Sequence, residues 1–186
     1  MQSKKRVQWL TKISGGSFAQ VYIFKARLED LLSKFQTTDK AKLEATLQTT
    51  AVRILKSSIT KTVRAYEIKS TKTVLKLPWH PNLLREQQLA PGITTSKLYD
   101  ENLKSFIKSG IQMYPTRRDA VECVLSALVN AVGHMHNHQW GHFDIKPSNI
   151  LIKWAVRRGQ FTRAEVVLAD FGLSRELHNG WYTVPS

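Results

Sequence analysis

Between residues 120 and 172 the chain follows a pattern that few folds can accommodate. Ala120, Val121, Val124, Leu125, Leu128, Val129, Val132 and Met135 recur at helical spacing, which predicts a helix with one face in a core. Thr116-Arg117-Arg118-Asp119, just ahead, resembles a capping box with Asp in the usual place of Glu. Behind the stripe comes a polar octet, His142-Phe143-Asp144-Ile145-Lys146-Pro147-Ser148-Asn149. Two short apolar runs follow, Ile150-Leu151-Ile152 and Val166-Val167-Leu168-Ala169, and the second ends at Asp170. They predict a hairpin. A buried helix thus presents a polar loop, and the hairpin brings a second carboxylate back beside it.

That set of side chains suits phosphoryl transfer. The reaction needs a carboxylate to orient the attacking group, a cation for the transferring phosphoryl and oxygen ligands for Mg²⁺. Asp144 and Lys146 supply the first two, and Asn149 with Asp170 supplies oxygens of the kind hard cations prefer. Near the start, strand-like Val7–Ile13 and Val21–Phe24 flank Ser14-Gly15-Gly16-Ser17. Such a turn can offer backbone N–H groups to phosphates. Alone, it is more commonly an ordinary glycine hairpin turn.

Taken together, the motifs resemble the eukaryotic-type protein kinase superfamily. The octet resembles the catalytic loop H-R-D-L-K-P-x-N, and Asp170-Phe171-Gly172-Leu173 resembles the start of the activation segment. Ser14 to Val21 resembles the glycine-rich loop, and His80-Pro81-Asn82-Leu83-Leu84 the H-P-N-I-V turn. Leu98 to Leu103 resembles the hinge, and Trp181 to Ser186 resembles W-Y-R-A-P-E. All fall in the family's order.

The resemblance implies an α+β, two-lobed fold. Residues 1–97 would form an N-lobe, an antiparallel β-sheet plus the family's αC helix, with an insertion at about 26–50. Residues 98–186 would form a shortened, mainly helical C-lobe ending at the activation segment. ATP and Mg²⁺ are implied, with transfer of the γ-phosphoryl to a serine or threonine of a protein. Lys146, two residues after Asp144, is the serine/threonine-type pattern. Carried over by position, Asp144 and Lys146 are the catalytic pair, and Asn149 and Asp170 the metal ligands. The ATP-binding set is Ile13, Ser14, Gly15, Gly16, Ser17, Phe18, Ala19, Val21, Arg53, Glu67 and Leu98.

Several positions depart from the family. Ala51-Val52-Arg53-Ile54-Leu55-Lys56 puts Arg53 where the third-strand lysine is expected. Its planar fork is not equivalent to an ammonium. Glu67, the carboxylate to pair with that cation, precedes His80 by a spacing wider than the family's by close to one helical turn. Phe143 replaces the Arg that normally receives a phosphorylated activation loop. Ser14 and Ala19 replace outer glycines, and residues 153–165 lengthen the hairpin with a basic, solvent-type loop. The helices that follow the activation segment in the family are missing, so the stripe of residues 120–135 would lack its main partner. These departures keep a second reading open: a pseudokinase or kinase fragment that binds a protein through that face.

Composition adds limits. Net charge is +14, which favours anionic partners without choosing among them. A nucleic-acid role for the 153–165 loop is the weaker alternative. His134, His136, His138 and His142 invite a transition-metal reading, but zinc ligands on a helix more often stand three or four apart. Cys123 is the only cysteine, so no disulfide framework exists. With neither a secretory segment nor an apolar run long enough for a membrane, the expected location is the cytoplasm or nucleus.

Overall fold

The computed structural model describes residues 10–15, 19–24, 50–74, 76–109, 117–157 and 160–177. The expected insertion at 26–50, the turn residues Gly16 to Phe18 and the Trp181–Ser186 motif lie, but for Thr50, outside them. The chain divides into two compact units, Met1–Arg64 with Glu86–Leu98, and Ala65–Arg85 with Tyr99–Ser186.

The first unit is a five-stranded antiparallel sheet. Its strands are β1 (Leu10–Gly15), β2 (Ala19–Phe24), β3 (Thr50–Leu55), β4 (Glu86–Ala90) and β5 (Ile93–Lys97). Their spatial order is β1-β2-β3-β5-β4. Ala51, Val52 and Leu55 of β3 are buried together with Ala19 and Thr94. Gly92, at φ 81°, makes the β4–β5 turn, with the Leu55 side chain 3.2 Å from where a Cβ would stand. Helix α1 (Lys61–Val74) starts in this unit, where the Arg64 guanidinium donates to the Lys56 carbonyl at 2.5 Å.

The second unit holds the apolar core. Helix α2 (Leu103–Ser109) begins where the Asn102 side chain accepts from the Ser105 N–H at 2.9 Å, as an N-cap. Helix α3 (Arg117–Asn137) is the stripe-bearing helix. Its Val124, Ala127, Ala131 and Met135 pack with Leu77, Phe106, Ile150, Ile152, Val166, Leu168 and Phe171. The stripe is wider than this core. Val121, Leu125 and Val129, which follow one another at i, i+4, are 47%, 55% and 69% exposed.

Strands β6 (Glu101–Asn102), β8 (Ile150–Arg157) and β9 (Gln160–Leu168) form one sheet, and β7 (Trp140–Gly141) pairs with β10 (Arg175–Glu176). The solvent-type loop expected at 153–165 is instead largely strand, because β8 and β9 stay paired from Ile150–Leu168 to Arg157–Gln160. Trp154 explains much of the extension. Its backbone N–H donates to Asp100 at 2.8 Å, its indole N–H to Glu101 at 3.0 Å, and its ring packs on Phe106. The Tyr99 hydroxyl adds a 2.8 Å bond to Glu165. Burial, then that bond and the charge of Glu165, raise the Tyr99 phenol well above its usual value.

Candidate active site

The polar octet leaves β7 through a strained corner. Phe143 holds a left-handed backbone at φ 61°, a costly place for a bulky residue. Its ring lies over Gly141, where an added Cβ would stand 2.8 Å from the Phe143 Cζ and 3.2 Å from Leu177. Gly141 is therefore the residue that lets Phe143 and Leu177 approach one strand.

The next turn is built around His142, which is 3% exposed. Its Nε2 lies 3.1 Å from the Ala169 carbonyl, and the Asp144 N–H donates to its Nδ1 at 3.2 Å. A carbonyl only accepts and an N–H only donates, so these partners select a neutral ring protonated on Nε2. Burial keeps the imidazole pKa below its ordinary value, despite the opposing bond to Ala169 and the nearby carboxylates of Asp170 and Asp144. The ring also meets Phe171 edge-on, with centroids 5.4 Å apart. His142 thus joins the polar octet to both sides of Asp170.

Asp144 gathers the other polar residues. Lys146 Nζ donates to its Oδ2 at 2.7 Å. Asn149 Nδ2 donates to the same oxygen and to the Asp144 carbonyl, both at 2.9 Å. The Asp144–Lys146 pair is partly exposed, so its value is positional more than energetic. Asn149 sits in a 3-10 turn, Pro147–Asn149, that feeds directly into β8. Its own carbonyl accepts from the Ala169 N–H at 2.8 Å, which places the end of β9 beside the octet.

Asp170 also has a left-handed backbone, φ 62° and ψ 77°, and is exposed. Phe171 and Gly172 behind it are buried. Among the described residues no hydrogen bond reaches the side-chain oxygen of Asn149, because its amide nitrogen makes both bonds to Asp144. Two oxygen donors of this type fit Mg²⁺, which takes one or two protein oxygens and fills its shell from phosphates and water. Among the described residues no three His, Cys, Asp or Glu side chains are grouped to hold a metal ion.

The remaining candidates divide between the units. Ile13, Ser14 and Gly15 are exposed on β1, while Ala19 and Val21 lie on β2. Val21 pairs with Arg53, and Arg53 pairs on its other side with Thr94. Leu98 closes the first unit directly after β5. Glu67 belongs to the second unit and is 2% exposed. Its carboxylate packs on Gly172, where a Cβ would come within 2.9 Å of the Glu67 Cδ. This contact joins α1 to the residues behind Asp170 and had no local signal in the sequence. Neither did the stacking of Arg175 over the Tyr66 ring, 5.5 Å from its centroid.

The protein kinase domain model matches residues 10–184. The sporulation protein kinase mde3 of Schizosaccharomyces pombe is 28% identical over 172 residues, covering 88% of this chain and 28% of that protein. Cyclin-dependent kinase 11B of Rattus norvegicus is 26% identical over 182 residues, covering 94% of this chain and 35% of that protein. Myosin light chain kinase A of Dictyostelium discoideum is 27% identical, covering 84% of this chain and 51% of that protein. The chain spans about a third of the length of the first two and half of the third. Among the described residues no helix is long and apolar enough to cross a membrane. With a family match over nearly its whole length, this chain belongs to the protein kinase domain family.

Proposed function

We propose that this chain is a serine/threonine protein kinase domain that transfers the γ-phosphoryl of ATP to a protein hydroxyl. The observation that supports it most is the shared Oδ2 of Asp144, which receives Lys146 at 2.7 Å and Asn149 at 2.9 Å. Asp144 accepts or orients the proton of the attacking hydroxyl. Lys146, held within reach of that carboxylate, meets the negative charge of the transferring phosphoryl. Asn149 and Asp170 would hold Mg²⁺, which when bound offsets phosphate charge. By family position, Ile13 to Val21, Arg53 and Leu98 are the residues that would bind the nucleotide, and the Glu67 carboxylate packs on Gly172 behind Asp170. His142 is a scaffold and not the base, since both its nitrogens are committed to backbone groups.

A second reading has specific support. Arg53 stands in the place of the third-strand lysine, and Phe143 packs on Gly141 in the place of the phosphate-receiving arginine. A pseudokinase that binds without transferring would tolerate both.

The test is transfer from Mg²⁺·ATP to a generic basic protein, for the wild type and for Asp144→Asn. The proposal expects wild-type transfer and a loss of at least about a hundredfold in the variant, with folding unchanged. ATP binding with no wild-type transfer would establish the second reading instead.

A further inference from the structure

The second unit contains three histidines in ring contact, His80 stacked on His134 and His138 tilted against it, that the proposed chemistry does not use. His80 and His134 lie with ring centroids 4.6 Å apart, and His134 and His138 lie 4.4 Å apart. His134 Nε2 is 3.1 Å from the Pro78 carbonyl, and His138 Nδ1 is 2.8 Å from the His134 carbonyl. The column therefore fastens the Pro78–Asn82 turn to helix α3.

That turn in turn holds the strand leading to Asp170. The Asn82 N–H donates to His80 Nδ1 at 3.2 Å. The Asn82 side-chain amide donates to the Val166 carbonyl at 2.9 Å. Its backbone carbonyl accepts from the Leu168 N–H at 2.9 Å, and the Leu84 N–H donates to the Leu168 carbonyl at 2.9 Å. Leu168 is two residues from Asp170. A chain of named contacts thus runs from α3, through His80 and Asn82, to the base of the proposed metal ligand.

We propose that His80 and His134 are positioning residues for Asp170, acting through the Asn82 turn, and that a proton on His80 loosens their hold. The inference rests on the kinase reading for its functional meaning, but not for its structural content. As an acceptor from the Asn82 N–H, the His80 Nδ1 carries no hydrogen. A proton added there turns the acceptor into a donor and ends the bond. It also sets a charge against the neighbouring ring 4.6 Å away. Accordingly the pKa of His80 lies below its usual 6.5, first from burial and second from His134. Among the described residues, His134 is the group whose charge acts on His80, and His138 packs on His134. The charged residues next to the turn in sequence, Lys76 and Arg85, are exposed cations. The sign follows. With a lowered folded pKa, the hold is complete above the unfolded value near 6.5 and is lost as pH falls through the folded pKa.

His80→Asn separates the bond from its titration. An Asn side-chain oxygen accepts from the N–H two residues on, as in an Asx turn, and takes no proton in this range. Amide hydrogen exchange at Leu84 and Leu168 is measured at pH 7.5 and 5.5 and corrected for intrinsic rates. Wild-type protection should fall about five- to tenfold at the lower pH, and His80→Asn should stay flat. His134→Phe, which keeps a ring without a charge, should open at a higher pH than the wild type. A flat wild type, or a pH-sensitive His80→Asn, overturns the proposal. The affinity for Mg²⁺·ATP, measured across the same range, should weaken with the wild type's loss of protection and stay constant in His80→Asn. Protection that falls without any change in affinity overturns the positioning role. Absence of ATP binding at every pH would count against the kinase reading alone, since the exchange measurement still reads the clasp.

Discussion

The two compact units hold their functional residues by different means. In the first unit, Val21, Arg53 and Thr94 lie side by side because β2, β3 and β5 are in register. Ile13, on the outer strand β1, is 48% exposed. In the second unit, the octet is tied by side chains to backbone: His142 to Ala169, Asp144 to His142, and Asn149 to Asp144. It rests on an apolar floor that includes Met135, Ile152 and Leu168, each at most 1% exposed. Under the proposed function, the difference follows from the chemistry each unit would serve. A surface that covers a flat nucleotide needs spacing, which strand pairing supplies. A carboxylate that meets a reacting proton must be held within a fraction of an ångström, and a bonded loop on a rigid floor supplies that.

Changes to the floor should therefore cost the most stability. Ile152→Ala opens a cavity under the octet and should destabilise the protein by about 2–4 kcal/mol. Chemical denaturation monitored by tryptophan fluorescence measures it. A cost under about 1 kcal/mol would mean the floor is not close-packed.

Gly172→Ala should come next. The added methyl meets the buried carboxylate of Glu67, and the side chain has little solvent-exposed space to retreat into. The expected cost is about 1–2 kcal/mol, with weaker ATP binding as Asp170 is displaced. Unchanged stability and affinity would show that Glu67 moves aside freely.

Ile13→Ser should have the smallest effect on stability, within about 0.5 kcal/mol, because the side chain is already half in solvent. It should still weaken ATP binding about five- to tenfold, as lost apolar cover on the base. Calorimetric titration together with a melting curve separates the two. A large stability loss with unchanged affinity would erase the contrast between the units.

The same contrast decides how much the sequence could tell. The octet and Asp170-Phe171-Gly172 were legible because each is a contiguous run of residues. The core face of α3 was legible as a period, yet Val121, Leu125 and Val129 share that period and are exposed. Amphipathic spacing says which residues can be covered, not which are. The β8–β9 extension was hidden because Lys153, Arg157 and Arg163 read as solvent-type residues. What holds it there is Trp154 reaching Asp100 and Glu101, some fifty residues away. Glu67 on Gly172, and the His80–His134 stack, are long-range contacts of the same kind. No local pattern encodes them.

The central claim is that Asp170, presented by this floor and these bonds, helps hold Mg²⁺ for ATP. The direct measurement is the thermal shift caused by ATP at a hundredfold its Kd, with and without Mg²⁺, for the wild type and Asp170→Ala. A wild-type rise of about 5 °C or more that needs Mg²⁺, and that is lost in Asp170→Ala, is the expected result. An equal rise in the variant, or no wild-type rise with Mg²⁺ present, would contradict it.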